Sequence, residues 1–458
     1  MQQINVVLKS HVFISNKEDI RMTRPWFATI ICVIGLVLII QANIAQAGLE
    51  DVLYEKGQLT KEEWIKVKAD NEKTTDKEPL PTQPQNHWYE KIALRGYAQV
   101  RFNRLLETND RLKCEQCDKS WGGKGGVFIR RLRLILSGDV DDRVYIYIQP
   151  DFASSASSNS LHFGQIRDAY FDVSLDSKKE FRIRFGQSKI PFGFENMQSS
   201  QNRLALDRND GLNSAVSNER DLGAFFYWAP VEIRKRFSYL VSSGLKGSGD
   251  YGVFGFGAYN GQTANKPEEN NKQHIVARLT YPFEFKNKQI LEPGIQAYSG
   301  KYVLPSDLRS PKLNNPKDFN FEFIDERVAA SLILYPQPFG FQIEYNVGRG
   351  PEFDKQTDSV EVKKLKGGYA LINYMIKTGE QRIIPFIRTH AYKGGKKHEL
   401  DARSYTVNEH EFGVEWQPTK SFEIVTMYTI SQRRFEDFVN QDNEQKGSLL
   451  RLQFQFNY

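Results

Sequence analysis

The final twelve residues of this 458-residue chain, GSLLRLQFQFNY, constrain its fold more than any other stretch. From Leu450 onward, apolar and polar side chains alternate without a break, and the chain ends on Tyr458. Because successive side chains on a β-strand point to opposite faces, this segment is predicted to be a strand with one apolar and one polar face. An amphipathic last strand that ends on an aromatic residue is typical of the strand that closes a bacterial outer-membrane β-barrel.

The amino-terminal residues 1–47 have the features of a secretory signal peptide. Two arginines precede an almost wholly apolar run at 26–40, and the small-x-small sequence AQA follows at 45–47. The run is shorter than the ~20 apolar residues of a spanning helix, which favours cleavage over the alternative of an uncleaved anchor. Met22 would by itself begin a signal of ordinary length, so residues 1–21 are predicted to precede the true start.

Residues 48–90 are predicted to form a periplasmic helix and a linker. Thr60 and Glu63 have the spacing of a capping box, which marks the start of a helix that runs to about Ala69. The sequence KTTDKEPLPTQPQN beyond it is charged and proline-rich, as linkers are. The segment is either a short disordered extension with a turn or two of helix, or a periplasmic helix that helps subunits associate.

The composition of the chain agrees with a barrel that crosses a membrane. The mean hydropathy is −0.54 and 40% of the residues are hydrophobic, which excludes a bundle of transmembrane helices. Aromatic residues nevertheless make up 13% of the chain. A membrane barrel needs apolar side chains only at alternate strand positions, with aromatic girdles at both interfaces, so its average hydropathy resembles that of a soluble protein.

The region 91–458 contains about 16 segments with the alternation of a strand. This pattern predicts an all-β fold, a transmembrane antiparallel β-barrel preceded by the short periplasmic helix. The predicted strands are 92–103, 127–137, 144–151, 165–175, 181–189, 220–228, 251–260, 274–281, 290–303, 327–335, 341–348, 367–376, 381–392, 407–416, 421–432 and 447–458.

The connections between these segments alternate between long and short, as outer loops and periplasmic turns do. The region 229–250 is an exception, because it is long where a short turn is expected, and 237–245 within it is a candidate for a further strand. The predicted long connections are 104–126, 152–164, 190–219, 261–273, 304–326, 349–366, 393–406 and 433–446.

Arginines within the strands indicate which ions the lumen attracts. An arginine on the lipid face costs roughly 2–4 kcal/mol at the midplane, so a mid-strand arginine in phase with polar residues is expected to face the lumen. Guanidinium groups stay charged and attract anions. The residues that meet this test are Arg95, Arg101, Arg131, Arg133, Arg182, Arg184 and Arg451.

Closure of the last strand on the first would place most of these arginines on one wall, with Arg131 and Arg133 facing water. Acidic side chains are also candidates for the lumen. The alternative to an anion pathway is therefore a basic wall that faces an acidic constriction and only shapes the electric field across the pore. The acidic candidates are Asp168, Asp172, Glu344, Glu411, Glu415 and Glu423.

The stretch FGQSKIPFGFE at 185–195 resembles the GQ-x-K-x-PFG-x-E signature of the phosphate-selective porins O and P. Supporting matches are RDAY at 167–170, ERDLG at 219–223, and LYEKGQLTKEEW at 53–64, which is similar to a helix found ahead of many such barrels. The resemblance spans essentially the whole mature chain. It implies a homotrimeric barrel of about 16 strands in the outer membrane of a Gram-negative bacterium, with an arginine-lined pore that passes phosphate or polyphosphate.

The connection 190–219 is long enough to be functional. It is predicted either to fold inward as a constriction loop, with Lys189, Arg203 and Arg208 as its basic residues, or to stay solvated outside. The sequence DRNDG at 207–211 hints at calcium, but Arg208 stands where an EF-hand loop needs an oxygen ligand, so neither a metal nor a cofactor is predicted.

The first long connection contains the C-x-x-C of Cys114 and Cys117. Outside the cytosol, a disulfide between them is expected. Asp118 follows instead of the histidine of a haem attachment site.

The sequence therefore predicts an outer-membrane porin whose partners are small anions, outer-membrane lipid and further copies of itself. The alternatives are a general, weakly selective porin and a plugged structural or adhesive barrel. No enzyme is predicted, because G-x-S-x-G, H-E-x-x-H and P-loop motifs are missing, although a hydrolase triad built on His390 or His410 remains an alternative. Nucleic-acid binding has no support, since the basic residues lie within strands and not in a surface patch.

Overall fold

A computed structural model describes the residues 53–54, 56–75, 87–112, 126–152, 164–314 and 320–458. The predicted signal peptide and the pair Cys114 and Cys117 lie outside the described residues. The chain divides into two compact units, Met1–Gln85 and Asn86–Tyr458. Among the described helices, none combines the length and the apolar character that a membrane span requires.

In the first unit, helix α1 (Lys61–Thr75) begins at the predicted capping box. The backbone N–H of Thr60 donates to Oε2 of Glu63 at 2.9 Å, and the Thr60 hydroxyl donates to the same atom at 2.7 Å. The backbone hydrogen bond, which has the larger effect, and the side-chain hydrogen bond both hold the pKa of Glu63 below its ordinary value. Trp64 stacks on Tyr54 with ring centroids 5.2 Å apart, which ties the preceding turn to the helix.

The second unit contains a closed barrel of 16 antiparallel strands, which confirms the predicted fold class and strand count. Strands that follow one another in sequence pair with one another, and the first strand pairs with the last. Two short strands, Phe283–Glu284 and Ile376–Thr378, extend the wall by pairing with β9 and β13. The strands are β1 (Ile92–Leu105), β2 (Val127–Asp139), β3 (Val144–Asp151), β4 (Gln165–Ser174), β5 (Phe181–Lys189), β6 (Arg220–Trp228), β7 (Phe254–Tyr259), β8 (His274–Thr280), β9 (Ile290–Val303), β10 (Glu322–Leu334), β11 (Phe339–Asp354), β12 (Ser359–Tyr374), β13 (Gln381–Gly395), β14 (Ser404–Thr419), β15 (Phe422–Glu436) and β16 (Glu444–Asn457).

The last strand closes the barrel as its alternation predicts. The register of β1 with β16 runs from Tyr97 opposite Asn457 to Phe102 opposite Leu452. The N–H of Tyr458 donates to the carbonyl of Gly96 at 3.0 Å, so the pairing continues to the final residue. Along β16, polar side chains are buried in the lumen while the apolar side chains between them point outward.

The connections differ most from the prediction in two places. The predicted long connection 349–366 is reduced to 355–358, because β11 and β12 continue beyond the apolar belt as a paired extension. The region 237–245 is not a strand, because Val231–Ser242 forms helix α4. Ile233, Phe237 and Leu240 are its buried residues, and their spacing is that of one helix face, whereas a strand would bury alternate residues.

Candidate functional site

The residues 190–219, which connect β5 to β6, lie inside the barrel, and we call them the constriction loop. The loop contacts strands on opposite walls, which only a segment within the lumen can do. Gln99 of β1 donates to the carbonyl of Ser200 at 3.2 Å, and Arg327 of β10 donates to the carbonyl of Gly211 at 3.1 Å. Nearly all of the loop is buried.

The first turn of the loop, helix α2 (Phe194–Met197), is attached to the far wall by one carboxylate. Glu344 of β11 accepts the backbone N–H groups of Phe194 at 2.6 Å and Glu195 at 2.8 Å. Arg388 of β13 donates to the Glu195 carboxylate at 2.5 Å and also bonds Glu411 of β14. Charge-assisted hydrogen bonds of this kind are about twice as strong as neutral ones, so they fix the position of the turn.

Asp207 attaches the middle of the loop to the seam where the barrel closes. Its carboxylate accepts from Arg101 of β1 at 3.1 Å and also bonds Arg451 of β16. Next to them, Arg131 donates to Gln99 at 2.7 Å.

The strand pairing thus brings Arg101, Arg131, Arg133 and Arg451 to one wall, as closure predicts. Arg133 donates to Asp151 of β3 at 2.7 Å. The expectation that Arg131 and Arg133 face water is wrong, since they are only 2% and 3% exposed. The physical reason is that loop and barrel groups pack over this wall.

Asp210 binds the loop to a cluster of cations. It begins helix α3 (Asp210–Asn213), and its carboxylate contacts Lys396, Arg433 at 2.7 Å and His390 at 3.4 Å. Asp210, His390 and Glu409 have the spacing of a metal site. Arg433 and Lys396 already bond the carboxylate oxygens, so the arrangement is an ion-pair cluster that orients the loop.

Arg203 and Arg208, the predicted basic residues within 190–219, bond the loop itself. Arg203 donates to the carbonyl of Leu206 at 3.1 Å. Arg208 pairs with Glu219 at 2.8 Å and donates to the carbonyl of Glu195 at 3.2 Å. Both side chains are at most 5% exposed, so they stabilise the shape of the loop from within.

A second segment enters the lumen from the end that carries the short turns. Helix α4 and the residues after it pack their apolar side chains, Phe237, Leu240 and Leu245, against Leu204 and Leu206 of the constriction loop. The sequence marked this segment only as an over-long connection with a candidate strand, not as a helix. Its helical apolar spacing is the signal that would have revealed it.

One hydrogen bond and one ion pair fix the second segment. Gln198 of the constriction loop donates to the carbonyl of Lys246 at 2.6 Å. The ammonium group of Lys246 pairs with Glu415 of β14, and both side chains are buried. A third segment, 396–403, enters from the other end, where Lys396 meets Asp210 and Lys397 meets Asp325.

Between these segments and the wall of β2 to β6 lies a cavity of about 720 Å³. Its lining follows β5 from Arg182 to Lys189, which is ~23 Å along a strand that rises ~3.3 Å per residue. A second cavity, of about 680 Å³, lies at the short-turn end of the barrel. The two share Arg95, Gln201 and Asn202 in their linings, and we call them together the vestibule.

The vestibule has an excess of positive charge. Eleven cationic and six acidic side chains line it. The cations are Arg95, Lys179, Arg182, Arg184, Lys189, Arg220, Arg234, Lys246, Lys377, Arg382 and Lys420, and the acids are Asp139, Asp168, Asp172, Asp250, Glu380 and Glu423.

Four predicted pore residues, Arg95, Arg182, Arg184 and Lys189, line the vestibule. Arg182 and Arg184 share Asp172, at 3.7 Å and 2.7 Å, and the Arg184 guanidinium lies 3.8 Å from the ring centroid of Tyr170. Lys189 donates to the carbonyls of Met197 and Gln198 at 2.8 Å and 2.6 Å.

Arg95 differs from the other three because its side chain is exposed. It stands where the two cavities meet. It makes no ion pair with any residue that the structure describes.

Sequence reasoning missed several cations for two reasons. Lys377, Lys420 and Arg382 lie in or beside turns, where no alternation marks the inward side. Arg388 and Arg433 lie in strands and in phase with polar residues, so the test applied to Arg131 would have found them. Their partners in the constriction loop, Glu195 and Asp210, are more than 190 residues away in sequence and could not be found in this way.

The family model described as phosphate-selective porin O and P matches residues 116–458, from before β2 to the end of the chain. A search of curated proteins finds no match.

Three solved structures are similar to this chain at low sequence identity. In-vitro folded OmpT, an outer membrane protein of Vibrio cholerae, is 9% identical, with a TM-score of 0.47 over 80% of this chain and 97% of that chain. Salmonella typhi OmpF in complex with daunomycin is 12% identical, with a TM-score of 0.47 over 80% and 97%. An anion-selective porin from Comamonas acidovorans is 9% identical, with a TM-score of 0.46 over 80% and 99%.

The family match covers well over half of the chain and includes the signature at 185–195. The matched region also contains the constriction loop and all but one of the barrel strands. The chain belongs to the family of phosphate-selective porins O and P.

Proposed function

We propose that this outer-membrane porin lets small anions, phosphate among them, diffuse passively along the wall of β2 to β6. The family places the protein in the outer membrane of a Gram-negative bacterium as a channel. The observation that supports anion passage is the excess of cations in the vestibule, with exposed Arg95 at the junction of its two cavities. We propose that Arg95, Arg182, Arg184 and Lys189 contact the passing anion.

The partial neutralisation of these cations suits conduction. A channel needs binding that is strong enough for entry and weak enough for release, spread over several sites. Asp172 lies between Arg182 and Arg184, and Asp250 lies between Arg182 and Arg234, so three guanidinium groups share two carboxylates. The surplus charge attracts anions, while the carboxylates keep any one site from holding them tightly.

The buried arginines have a different proposed role. Arg101, Arg131, Arg133 and Arg451 hold the constriction loop and the seam, and they add to the positive potential of the lumen without direct contact. Arg203 and Arg208 keep the shape of the loop. This division of roles follows from position. Arg182, Arg184 and Lys189 are only 5–6% exposed but line the cavity, whereas Arg101, Arg131, Arg133 and Arg451 do not line either cavity.

The zero-current potential across a planar bilayer under a potassium chloride gradient tests the proposal. The purified protein is measured before and after phosphate is added to both sides. A potential of anion sign, with chloride current blocked by low phosphate, is the expected result. A cation-signed or near-zero potential without block contradicts it and indicates a general, weakly selective porin.

A plugged barrel is the second candidate, and one observation favours it. Apolar residues of the constriction loop and of α4 form a continuous core with inward residues of β10, β12, β13 and β15. This core fills the lumen on the side opposite the wall of β2 to β6. A plugged barrel would show no channel conductance in the bilayer experiment, whereas the proposed pathway along β2 to β6 conducts.

We also propose that the mature protein begins after residue 47, as the signal-peptide features indicate, and that it assembles as a homotrimer, as the family resemblance implies. The region between the signal and the barrel, residues 48–90, is then a periplasmic extension. Native mass spectrometry of the protein from outer membranes gives both the subunit mass and the number of subunits. A subunit mass that includes residues 1–47, or a monomer, would contradict the respective proposal.

A further inference from the structure

Four cations lie together on the outer face of three neighbouring strands. Arg349 of β11 lies directly opposite Lys364 of β12, and Lys366 of β12 lies directly opposite Lys393 of β13. All four side chains are exposed. We call these four residues the outer basic patch.

The patch lies at the upper edge of the apolar belt. Outward apolar side chains begin at Tyr374 on β12 and at Ile383 on β13, near the short turns. Lys366 and Lys393 lie eight and ten residues further along the same faces. For strands tilted by about 40° with a rise of ~3.3 Å per residue, these separations correspond to about 20–25 Å, close to the height of the apolar band of a membrane barrel. The lysines therefore lie at the level of the headgroups of the outer leaflet.

The protein leaves most of this charge uncompensated. Like charges directly opposite each other on neighbouring strands destabilise a sheet. Arg349 pairs with Glu326 at 2.7 Å, but Lys364, Lys366 and Lys393 form no ion pair with any described residue. Lys393 is within electrostatic range of Glu352, a buried carboxyl that accepts from Ser404 at 2.6 Å. An external anion would remove the repulsion that the fold retains.

An apolar groove of about 660 Å³ crosses the same outer face. Its lining includes Ile372 and Tyr374 of β12 and Ile387 of β13, which lie below Lys366 and Lys393 on the same strands. A cationic patch above an apolar groove has the two elements that an anionic lipid requires, one for its headgroup and one for its acyl chains.

We propose that the outer basic patch binds the phosphate groups of a phosphorylated lipid in the outer leaflet, with an acyl chain in the groove below. Lysine ammonium groups bind phosphate as compact point charges and do not require a fixed orientation. Two phosphates spaced along the headgroup of one lipid can bridge β12 and β13. This site is on the outside of the barrel and is independent of conduction through the lumen.

Native mass spectrometry of detergent-solubilised protein, titrated with a bisphosphorylated acylated glucosamine disaccharide, tests the proposal. The variant Lys364→Gln/Lys366→Gln/Lys393→Gln is compared with wild type. The matched control, Lys178→Gln/Lys286→Gln/Lys288→Gln, removes the same charge from exposed positions near the short turns. Each lysine near an anionic lipid contributes measurably to the binding free energy. The patch variant is therefore expected to bind the lipid at least about tenfold more weakly than wild type, while the control binds like wild type.

Three further binding measurements distinguish recognition of the lipid phosphates from other causes of a difference. The dephosphorylated disaccharide is expected to bind wild type and the patch variant equally, and inorganic phosphate is expected not to occupy the patch. The variant with arginine at the same three positions is expected to bind as wild type does, which shows that charge and not folding is the cause. Equal binding of the bisphosphorylated lipid by wild type and the glutamine variant overturns the proposal. So does a loss of subunit association in that variant with lipid binding unchanged, which would assign the patch to a contact between copies.

Discussion

Arg101 of β1 donates to Asp207 of the constriction loop across 3.1 Å, and the other oxygen of the same carboxylate bonds Arg451 of β16. Because β1 and β16 are the closing pair, one loop residue is attached to both strands of the seam. The two arginines are at most 1% exposed and Asp207 is 4% exposed. The constriction loop is therefore attached to both strands of the closing pair by the same buried carboxylate.

Replacing Asp207 by Asn is expected to destabilise the barrel and increase its anion preference. Removal of one partner of a buried ion pair leaves an uncompensated charge and costs roughly 3–5 kcal/mol. The two arginines that lose their fixed anion also make the lumen more positive. Thermal unfolding in detergent and the zero-current potential measure the two effects. Asp142→Asn, in an exposed turn, is the control, and an unchanged potential in Asp207→Asn would show that the loop does not shape selectivity.

Replacing Arg133 by Ala is expected to reduce stability strongly. The guanidinium donates to Asp151 at 2.7 Å and to the Tyr97 hydroxyl at 2.7 Å, and all three side chains are buried. Its loss leaves the Asp151 charge without that partner in a dry site, at a cost of roughly 3–5 kcal/mol. The shift of the unfolding midpoint in guanidinium chloride measures this cost. A midpoint equal to that of wild type would mean that water reaches Asp151.

Replacing Arg95 by Gln is expected to lower the anion preference and to leave the stability almost unchanged, in contrast to the replacement of Arg133. Arg95 is exposed and lines both cavities of the vestibule. Exposed substitutions usually change stability by no more than about 0.5 kcal/mol. The ratio of anion to cation permeability is the measurement, with Lys178→Gln as the control for net charge. Equal permeability ratios in wild type and Arg95→Gln would place the ion path away from the vestibule.

A double-mutant cycle on Lys246 and Glu415 tests whether the segment after α4 is attached to the wall. Each single replacement by Met leaves a buried charge uncompensated, so each is expected to lower the free energy of unfolding. The double replacement is expected to cost less than the sum of the singles, with a coupling of about 0.5–3 kcal/mol. Unfolding in guanidinium chloride, followed by tryptophan fluorescence, gives all four values. Additive effects would contradict a direct contact between the two residues.

Replacing Glu344 by Ala is expected to loosen the start of the constriction loop. Its carboxylate accepts two backbone N–H groups of helix α2, and those groups would lose their acceptor. We expect greater open-channel current noise and faster tryptic cleavage after Arg203 or Arg208. Glu361→Ala, at an exposed position on β12, is the control. Identical noise and cleavage in the two variants would show that other contacts alone hold the turn.

The sequence by itself determined the barrel, its strand number and the strand that closes it. These features follow from the alternation of side chains, which is local: whether a residue points inward or outward depends on its strand neighbours and on the cost of a charge in lipid. The inward direction of Arg131 and Arg451 was predictable for this reason. Helix α4 could also have been predicted from its local pattern of apolar residues, but that pattern lies where a short turn was expected.

Only the tertiary structure decided which inward cations meet water. Arg95 and Arg131 have the same pattern in sequence, yet Arg95 is exposed in the vestibule and Arg131 is 2% exposed. The difference arises from inward segments that meet the wall through partners more than a hundred residues away, such as Arg101 with Asp207 and Lys246 with Glu415. Exposure in a lumen depends on what else fills it, and no local periodicity contains that information.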